Sequence, residues 1–283
     1  MARASRLLWQ ACLALPCLLW PLQSAHAAVP ADTATAPGLD HALAIQASQA
    51  AIGRTVGEHI LRNRDGRPVA LSSLRGKPAL VSFIYTGCFQ VCPTTTRSLQ
   101  ESVQGLLKSV GANQFNVVSI GFNQPADSPQ ALKDFARKYG IDQPNWDFLS
   151  PPAATVAALA QDFGFMYQAT PAGFDHVLQI SILDAEGRIV RQVYGESLSP
   201  ADLGEPLKML LAGQPVQTPG LLDQLADRVR ILCTVYDART GSYRVDYTLP
   251  LQIAGGATFF VLMVGFFINE WRSSRKAARR RRA

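Results

Sequence analysis

The chain has 283 residues, a charged fraction of 17%, a mean hydropathy of +0.06 and a formal net charge of +6, which suits a folded protein of one large or two small domains with membrane segments attached. The positive balance lies at the two ends. Setting aside two arginines of the leader and seven basic residues of the tail, eighteen Lys and Arg remain between Ala28 and Leu249 against twenty Asp and Glu, so the body is slightly acidic and a nucleic-acid role has no electrostatic footprint there.

At the start, Arg3 and Arg6 precede an apolar stretch over 7–22 and then Ala25-His26-Ala27. That small-x-small pattern is accepted by signal peptidase, so 1–27 read as a signal peptide with Ala28 as the mature N-terminus. Pro16 and Pro21 interrupt the run, which is short for a retained span and too continuous for a mitochondrial presequence. Cys12 and Cys17 leave with the leader, and neither follows a lipobox-like sequence. Residues 28–55 are alanine-rich with Pro30 and Pro37 and read as a linker, helical over 42–51, with His41 in solvent.

The stretch 56–213 has the composition of one α/β domain. Two short strand-like runs flank Arg64-Asp65-Gly66-Arg67, a hairpin signal in which Gly66 supplies positive φ. A buried strand over 79–85 follows, then Thr86-Gly87, Cys88, Cys92 and Pro93, which opens a helix where a missing N–H costs nothing. That helix carries Leu99, Val103, Leu106, Leu107 and Val110 on one face and stops at Gly111. A strand over 115–122 comes next. Asp127-Ser128-Pro129 opens a helix with Leu132, Phe135, Ala136 and Tyr139 inward and Gly140 as its stop. A short strand over 146–149, a helix over 152–163, strands over 177–183 and 189–194 around Asp184-Ala185-Glu186-Gly187, and a helix over 200–211 complete the domain. This order predicts a thioredoxin-like sandwich: a central parallel pair completed by an antiparallel hairpin, with helices on both faces.

Residues 214–248 form a juxtamembrane segment, with an amphipathic helix at Leu221, Leu222, Leu225, Val229 and Leu232, then Cys233 and a strand, turn and strand. Residues 249–268 carry no charge and have the length of a transmembrane helix, and Trp271 then sits where an interface aromatic belongs. Arg272, Arg275, Lys276 and Arg279 to Arg282 follow in the basic tail 269–283. By the positive-inside rule the tail is cytoplasmic and the domain is outside.

With the leader removed, three cysteines remain for an oxidising compartment, Cys88, Cys92 and Cys233. Cys88 and Cys92 can share one site if the first lies in the loop and the second on the first helical turn. Electron exchange, metal binding and a structural staple are all open to such a pair. So short a loop gains little entropy from closure, while the helix N-terminus lowers thiol pKa and favours binding and exchange alike. His176, preceded by Asp175, opens an alternating run with Leu178, Ile180 and Ile182. In a thioredoxin-like sandwich the loop entering this strand lies beside the thiol loop, so Cys88, Cys92 and His176 are the candidate metal ligands. Two thiolates and an imidazole form a soft set suited to Cu(I) and tolerable for Cu(II), whereas a closed zinc site wants a fourth ligand. Cys233 has no assigned role.

From about His59 to Leu211 the chain resembles the Sco/SenC copper chaperones of cytochrome oxidase assembly. The resemblance rests on Thr-x-Cys-x-x-x-Cys-Pro at 86–93, Asp-Gly-Arg-Pro-Val and Leu-x-x-Leu-Arg-Gly-Lys within 65–77, Asp127-Ser-Pro, and Asp175-His176 opening a strand that ends in Asp-x-x-Gly. It implies copper on Cys88, Cys92 and His176, delivered toward the binuclear copper centre of the oxidase, with the cysteines able to cycle as dithiol and disulfide. The copper-bearing oxidase subunit, a thiol reductant or copper donor and the bacterial inner membrane are the implied partners, with the domain in the periplasm. A membrane-anchored thiol-disulfide oxidoreductase acting on oxidase or cytochrome cysteines is the alternative, and a docking scaffold a third. Phe89 and Gln90 stand where members carry Pro and Asp, Phe122 and Asn123 where they carry Asp-Pro, and the anchor is C-terminal rather than N-terminal.

Overall fold

Six consecutive buried residues, Ala79–Ile84, form β3 at the heart of a seven-stranded sheet. The computed structural model describes residues 38–88, 91–196, 198–216, 234–237, 242–245 and 248–280. The signal peptide, Phe89 and Gln90, the juxtamembrane helix expected over 221–232 and Cys233 lie outside them.

Parallel neighbours β4 (Asn116–Gly121) and β5 (Trp146–Ser150) extend the sheet on one side of β3, so its parallel core has three strands where a pair was expected. The hairpin β1 (Ile60–Asn63) and β2 (Pro68–Ala70) joins antiparallel beyond β5. On the other side β8 (Gln179–Leu183) and β9 (Ile189–Tyr194) add the antiparallel hairpin. Their turn is closed by Asp184 Oδ1, which accepts from the N–H groups of Glu186 at 3.1 Å and Arg188 at 2.8 Å.

Strand alternation sends Leu80 and Ile84 of β3 into one core and Val81 and Phe83 into the other. The first core is covered by α2 (Val91–Val110), α3 (Pro129–Lys138) and α5 (Pro200–Leu211) through Leu99, Leu132, Phe135 and Leu203. The second is covered by α4 (Ala153–Asp162) through Val156, Leu159 and Ala160. Each fully buried Leu or Phe contributes about 1.5–3 kcal/mol, which is why these faces define the architecture. Helix ends fall at their sequence signals: Ser128 caps α3 with Pro129 behind it, and Ser199 and Asp202 form a capping box on α5.

Two departures from expectation concern the functional end of the sheet. The helix expected over 42–51 is α1 (His41–Gln49), capped by Asp40, whose carboxylate accepts from Leu43 N–H at 3.0 Å, but it is docked on the sandwich rather than part of a free linker. Nine residues are too few for a stable isolated helix, and α1 is held by docking: Ala44 and Ile45 pack on Val177 and Tyr194, and Tyr194 Oη donates to Ser48 Oγ at 2.9 Å and accepts from Gln49 Nε2 at 2.7 Å. His41, expected in solvent, has a side chain only 18% exposed and bound to Asp175.

The second departure is His176. It does not open the strand of Ile180 and Ile182 but closes β7 (Gly173–His176), which pairs with β6 (Tyr167–Thr170) in a separate two-stranded sheet. Chain continuity through Val177 and Leu178 then leads into β8.

Beyond the sandwich, β10 (Thr234–Asp237) and β11 (Ser242–Val245) pair antiparallel, as the strand, turn and strand of the sequence required. Helix α6 (Thr248–Arg280) follows. Within it Leu251–Asn269 is long and apolar enough to cross a membrane, with a mean hydropathy of 2.0 and no part of that window buried against protein. Its large side chains, Phe259, Phe260, Leu262, Phe266 and Phe267 among them, all face outward.

Candidate metal centre

Strand β3 runs directly into the thiol loop. Cys88 N–H donates to Tyr85 O at 3.2 Å, folding 85–88 into a turn that brings the Cys88 side chain back against the sheet end, where it is 6% exposed. The loop is pinned from outside by Asp127, a fully buried carboxylate. Its Oδ1 accepts from both the N–H and the Oγ1 of Thr86, each at 2.7 Å, and its Oδ2 from Asn123 N–H at 2.8 Å. Burial pushes this carboxyl above its ordinary range, while the three donors pull the other way. Gly121 makes the approach possible, since a Cβ there would stand 2.6 Å from Asp127 Cβ.

Cys92 lies in the first turn of α2; its side chain is outside the described part of the structure. The next turn of that helix, Thr95, Thr96 and Leu99, lines a small cavity together with His176 and Leu178. The opening of α2 and the imidazole therefore border one space. Among the described residues no three His, Cys, Asp or Glu side chains gather as a complete metal cluster.

His176 is 3% exposed. Its Nδ1 lies 3.2 Å from Val177 O; a carbonyl can only accept, so the proton resides on Nδ1 and the lone pair on Nε2. Desolvation by burial holds the imidazole below its usual range, opposed by the Val177 carbonyl and by the nearby charges of Cys88 and Asp175. The ring is thus neutral at neutral pH, and Cys88 is close enough to act on it electrostatically. Around it stand aromatic rings edge-on: Phe165 at 5.5 Å, Phe122 at 5.7 Å and Tyr85 at 6.2 Å between centroids. Phe122 is the hub of this shell, also meeting Tyr167 at 4.8 Å and Phe174 at 5.3 Å.

The two halves lock through Tyr85. Its Oη receives Phe174 N–H at 3.4 Å, and its ring sits so close to Gly173 that a Cβ there would meet Oη at 2.6 Å. Next to the imidazole, Asp175 accepts from His41 Nε2 at 2.9 Å and Leu39 N–H at 3.2 Å. The sequence marks Cys88 and His176, and the fold puts both at one end of the sheet. It does not mark the tie of Asp127 to Thr86, the aromatic shell or the His41–Asp175 bond; the recurrence of Phe163, Phe165, Tyr167 and Phe174 just ahead of His176 is the one signal of the shell.

A sandwich of this topology, with a strand-end thiol loop and a buried imidazole behind aromatic rings, defines a thioredoxin-like protein with soft donor groups at one end of its sheet. Residues 47–212 match the SCO1/SenC family, and the chain belongs to that family. It is 29% identical over 145 residues to the SCO1 protein homolog of Bacillus subtilis, covering 50% of this chain and 74% of that one. Among solved structures, one from Aquifex aeolicus VF5 is 27% identical with a TM-score of 0.53, covering 58% of this chain and 95% of its own. ScoI of Bradyrhizobium japonicum, solved with copper bound, is 27% identical with a TM-score of 0.48, covering 56% of this chain and 99% of its own.

Proposed function

We propose that this chain is a copper metallochaperone anchored in the bacterial inner membrane by α6, which takes copper on Cys88, Cys92 and His176 and helps assemble the copper centre of a respiratory cytochrome oxidase. The observation that carries it is that the buried Cys88 thiol and the buried imidazole of His176, with Nδ1 facing the Val177 carbonyl, pack beside the same aromatic rings, Tyr85, Phe122 and Phe165, in a SCO1/SenC chain. Thiolate and imidazole donors suit Cu(I) and accept Cu(II). Ligands drawn from a loop, a helix start and a hairpin hold a cargo ion without enclosing it. The acceptor is the copper-bearing oxidase subunit, and a thiol reductant or copper donor loads the site. The sandwich 56–213 lies in the periplasm and the basic tail in the cytoplasm.

In detergent, the reduced full-length chain should bind about one copper per chain, as one soft three-ligand site requires, with thiolate-to-Cu(II) absorption on loading with Cu(II). Cys88→Ser, Cys92→Ser and His176→Ala should each remove that band. The proposal fails if His176→Ala leaves affinity and spectrum unchanged.

The helical position of Cys92, in the first turn of α2, favours a second role in thiol-disulfide exchange, because a helix N-terminus stabilises a thiolate. The pair's reduction potential and its rate with a model disulfide decide this: a very stable, slowly exchanging disulfide argues against an oxidoreductase.

A further inference from the structure

We propose that His41 is a positioning residue for the candidate copper site: its bond to Asp175 ties the first residue of α1 to the strand that ends in His176 and so fixes the direction in which the imidazole faces. The inference rests on the function proposed above.

Asp175 is 3% exposed, and a carboxylate so buried needs donors. Two of them come from 134 and 136 positions away in the chain: His41 Nε2 on Oδ1 and Leu39 N–H on Oδ2. The same segment grips the other neighbour of His176, because Ala44 and Ile45 of α1 pack on Val177. One strap therefore holds the backbone on both sides of the imidazole. That matters for the ring because its Nδ1 is oriented by the carbonyl of Val177, and the group that orients a ligand's second nitrogen fixes its tautomer and direction. Elsewhere on α1, Ser48 and Gln49 bond to Tyr194 and the neighbouring sheet, away from Asp175. His41 thus makes the strap's side-chain hydrogen bond to the residue before His176, beside the backbone bond from Leu39. The other imidazole–carboxylate pair, His59 with Asp162 at 2.7 Å, joins the approach to β1 to α4 and serves as an internal contrast.

The test uses the full-length chain in detergent, with its four histidines selectively labelled with 15N. In the metal-free protein, His41→Ala should shift the ring nitrogen resonances of His176 toward a mixture of tautomers. His41→Gln, whose amide can still donate to Asp175, should restore them. Ser48→Ala, which weakens the same strap at Tyr194, should lower stability and leave them in place. If His41→Ala does not fold, His41→Phe, which keeps a ring without the donor, carries the same expectation. With copper loaded, a competing chelator should strip His41→Ala about 10-fold or more readily than wild type, the usual cost of losing a group that orients a ligand. Unshifted His176 resonances and wild-type copper retention in His41→Ala or His41→Phe overturn this inference alone. A wild-type chain that takes up no copper overturns it together with the proposed function.

Discussion

Replacing Gly173 by alanine tests whether the thiol strand and the imidazole hairpin are locked together by close approach. Two costs add. Gly173 has φ of +127°, a region that costs an L-residue about 1–3 kcal/mol. Its new Cβ would also stand 2.6 Å from Tyr85 Oη and 3.2 Å from two ring carbons, and overpacking of this kind costs about 1–3 kcal/mol. The sum, about 2–6 kcal/mol, corresponds to a fall of about 4–24 °C in Tm at about 2–4 °C per kcal/mol for a domain of this size. Tyr85→Phe removes the nearest atom and leaves the backbone strain. Alone it should cost about 0.5–1 kcal/mol for the bond from Phe174 N–H; combined with Gly173→Ala it should recover about 1 kcal/mol relative to the sum of the two. Urea unfolding of all four proteins gives the cycle, and hydrogen exchange at Phe174, Asp175 and Val177 reveals undocking of the hairpin without global unfolding. If Gly173→Ala changes neither stability nor exchange, or if the two substitutions are simply additive, Tyr85 and Gly173 do not lock the halves of the site.

Phe122→Ala removes the hub of the aromatic shell and should cost about 3–5 kcal/mol, read by urea unfolding, while opening the His176 ring to solvent. Asp127→Ala strands the half-buried N–H groups of Thr86 and Asn123 at about 0.5–1.5 kcal/mol each; Cys88 should then react faster with iodoacetamide, whereas Asp65→Ala, removing only a surface pair with Lys133, should not change that rate. In the metal-free chain burial lowers the pKa of His176 below its unfolded value near 6.5, so the folded state binds fewer protons than the unfolded one. Stability from this group is therefore full above about pH 6.5 and is lost as the pH falls from there through the lowered folded value; His176→Phe should flatten that part of a stability–pH profile, and an unchanged slope refutes the assignment.

Features whose partners are local in the chain are legible from the residues themselves. Ser128 and Pro129 announce α3, Asp184 and Gly187 announce the β8–β9 turn, and the alternation from Ile180 to Ile182 announces a buried strand. Asp127 misleads by the same rule: beside a helix start it reads as part of the cap, yet Ser128 does the capping and Asp127 reaches Thr86, 41 positions away. His41 reads as solvated because its own neighbourhood is alanine-rich, and nothing local points to Asp175. The hairpin β6–β7 escapes notice because Pro171 and Gly173 break its pattern, so the one strand legible near His176 is the next one. The thiol pair is plain in the sequence; that Cys88 stands near His176 depends on the fold.

These misses share one physical feature, which bears on how the site works. The thiol half is continuous with the main sheet through β3 and clamped by a buried carboxylate, so its geometry follows that of a strand buried along its whole length. The imidazole half sits on a two-stranded sheet that shares no ladder with the main one. Apart from its covalent link into β8, the contacts that hold this hairpin include ring packing on Tyr85 and Phe122, the bond from Phe174 N–H to Tyr85 Oη and the strap of α1. Ring packing is weakly directional and worth about 0.5–1.5 kcal/mol per pair, whereas a clamped strand end moves only with its sheet. A displacement of β6–β7 therefore moves the His176 imidazole relative to Cys88 without requiring the main sheet to unpair. In the function proposed above, the imidazole is the proposed ligand whose position is set by packing contacts rather than by the ladder of the main sheet.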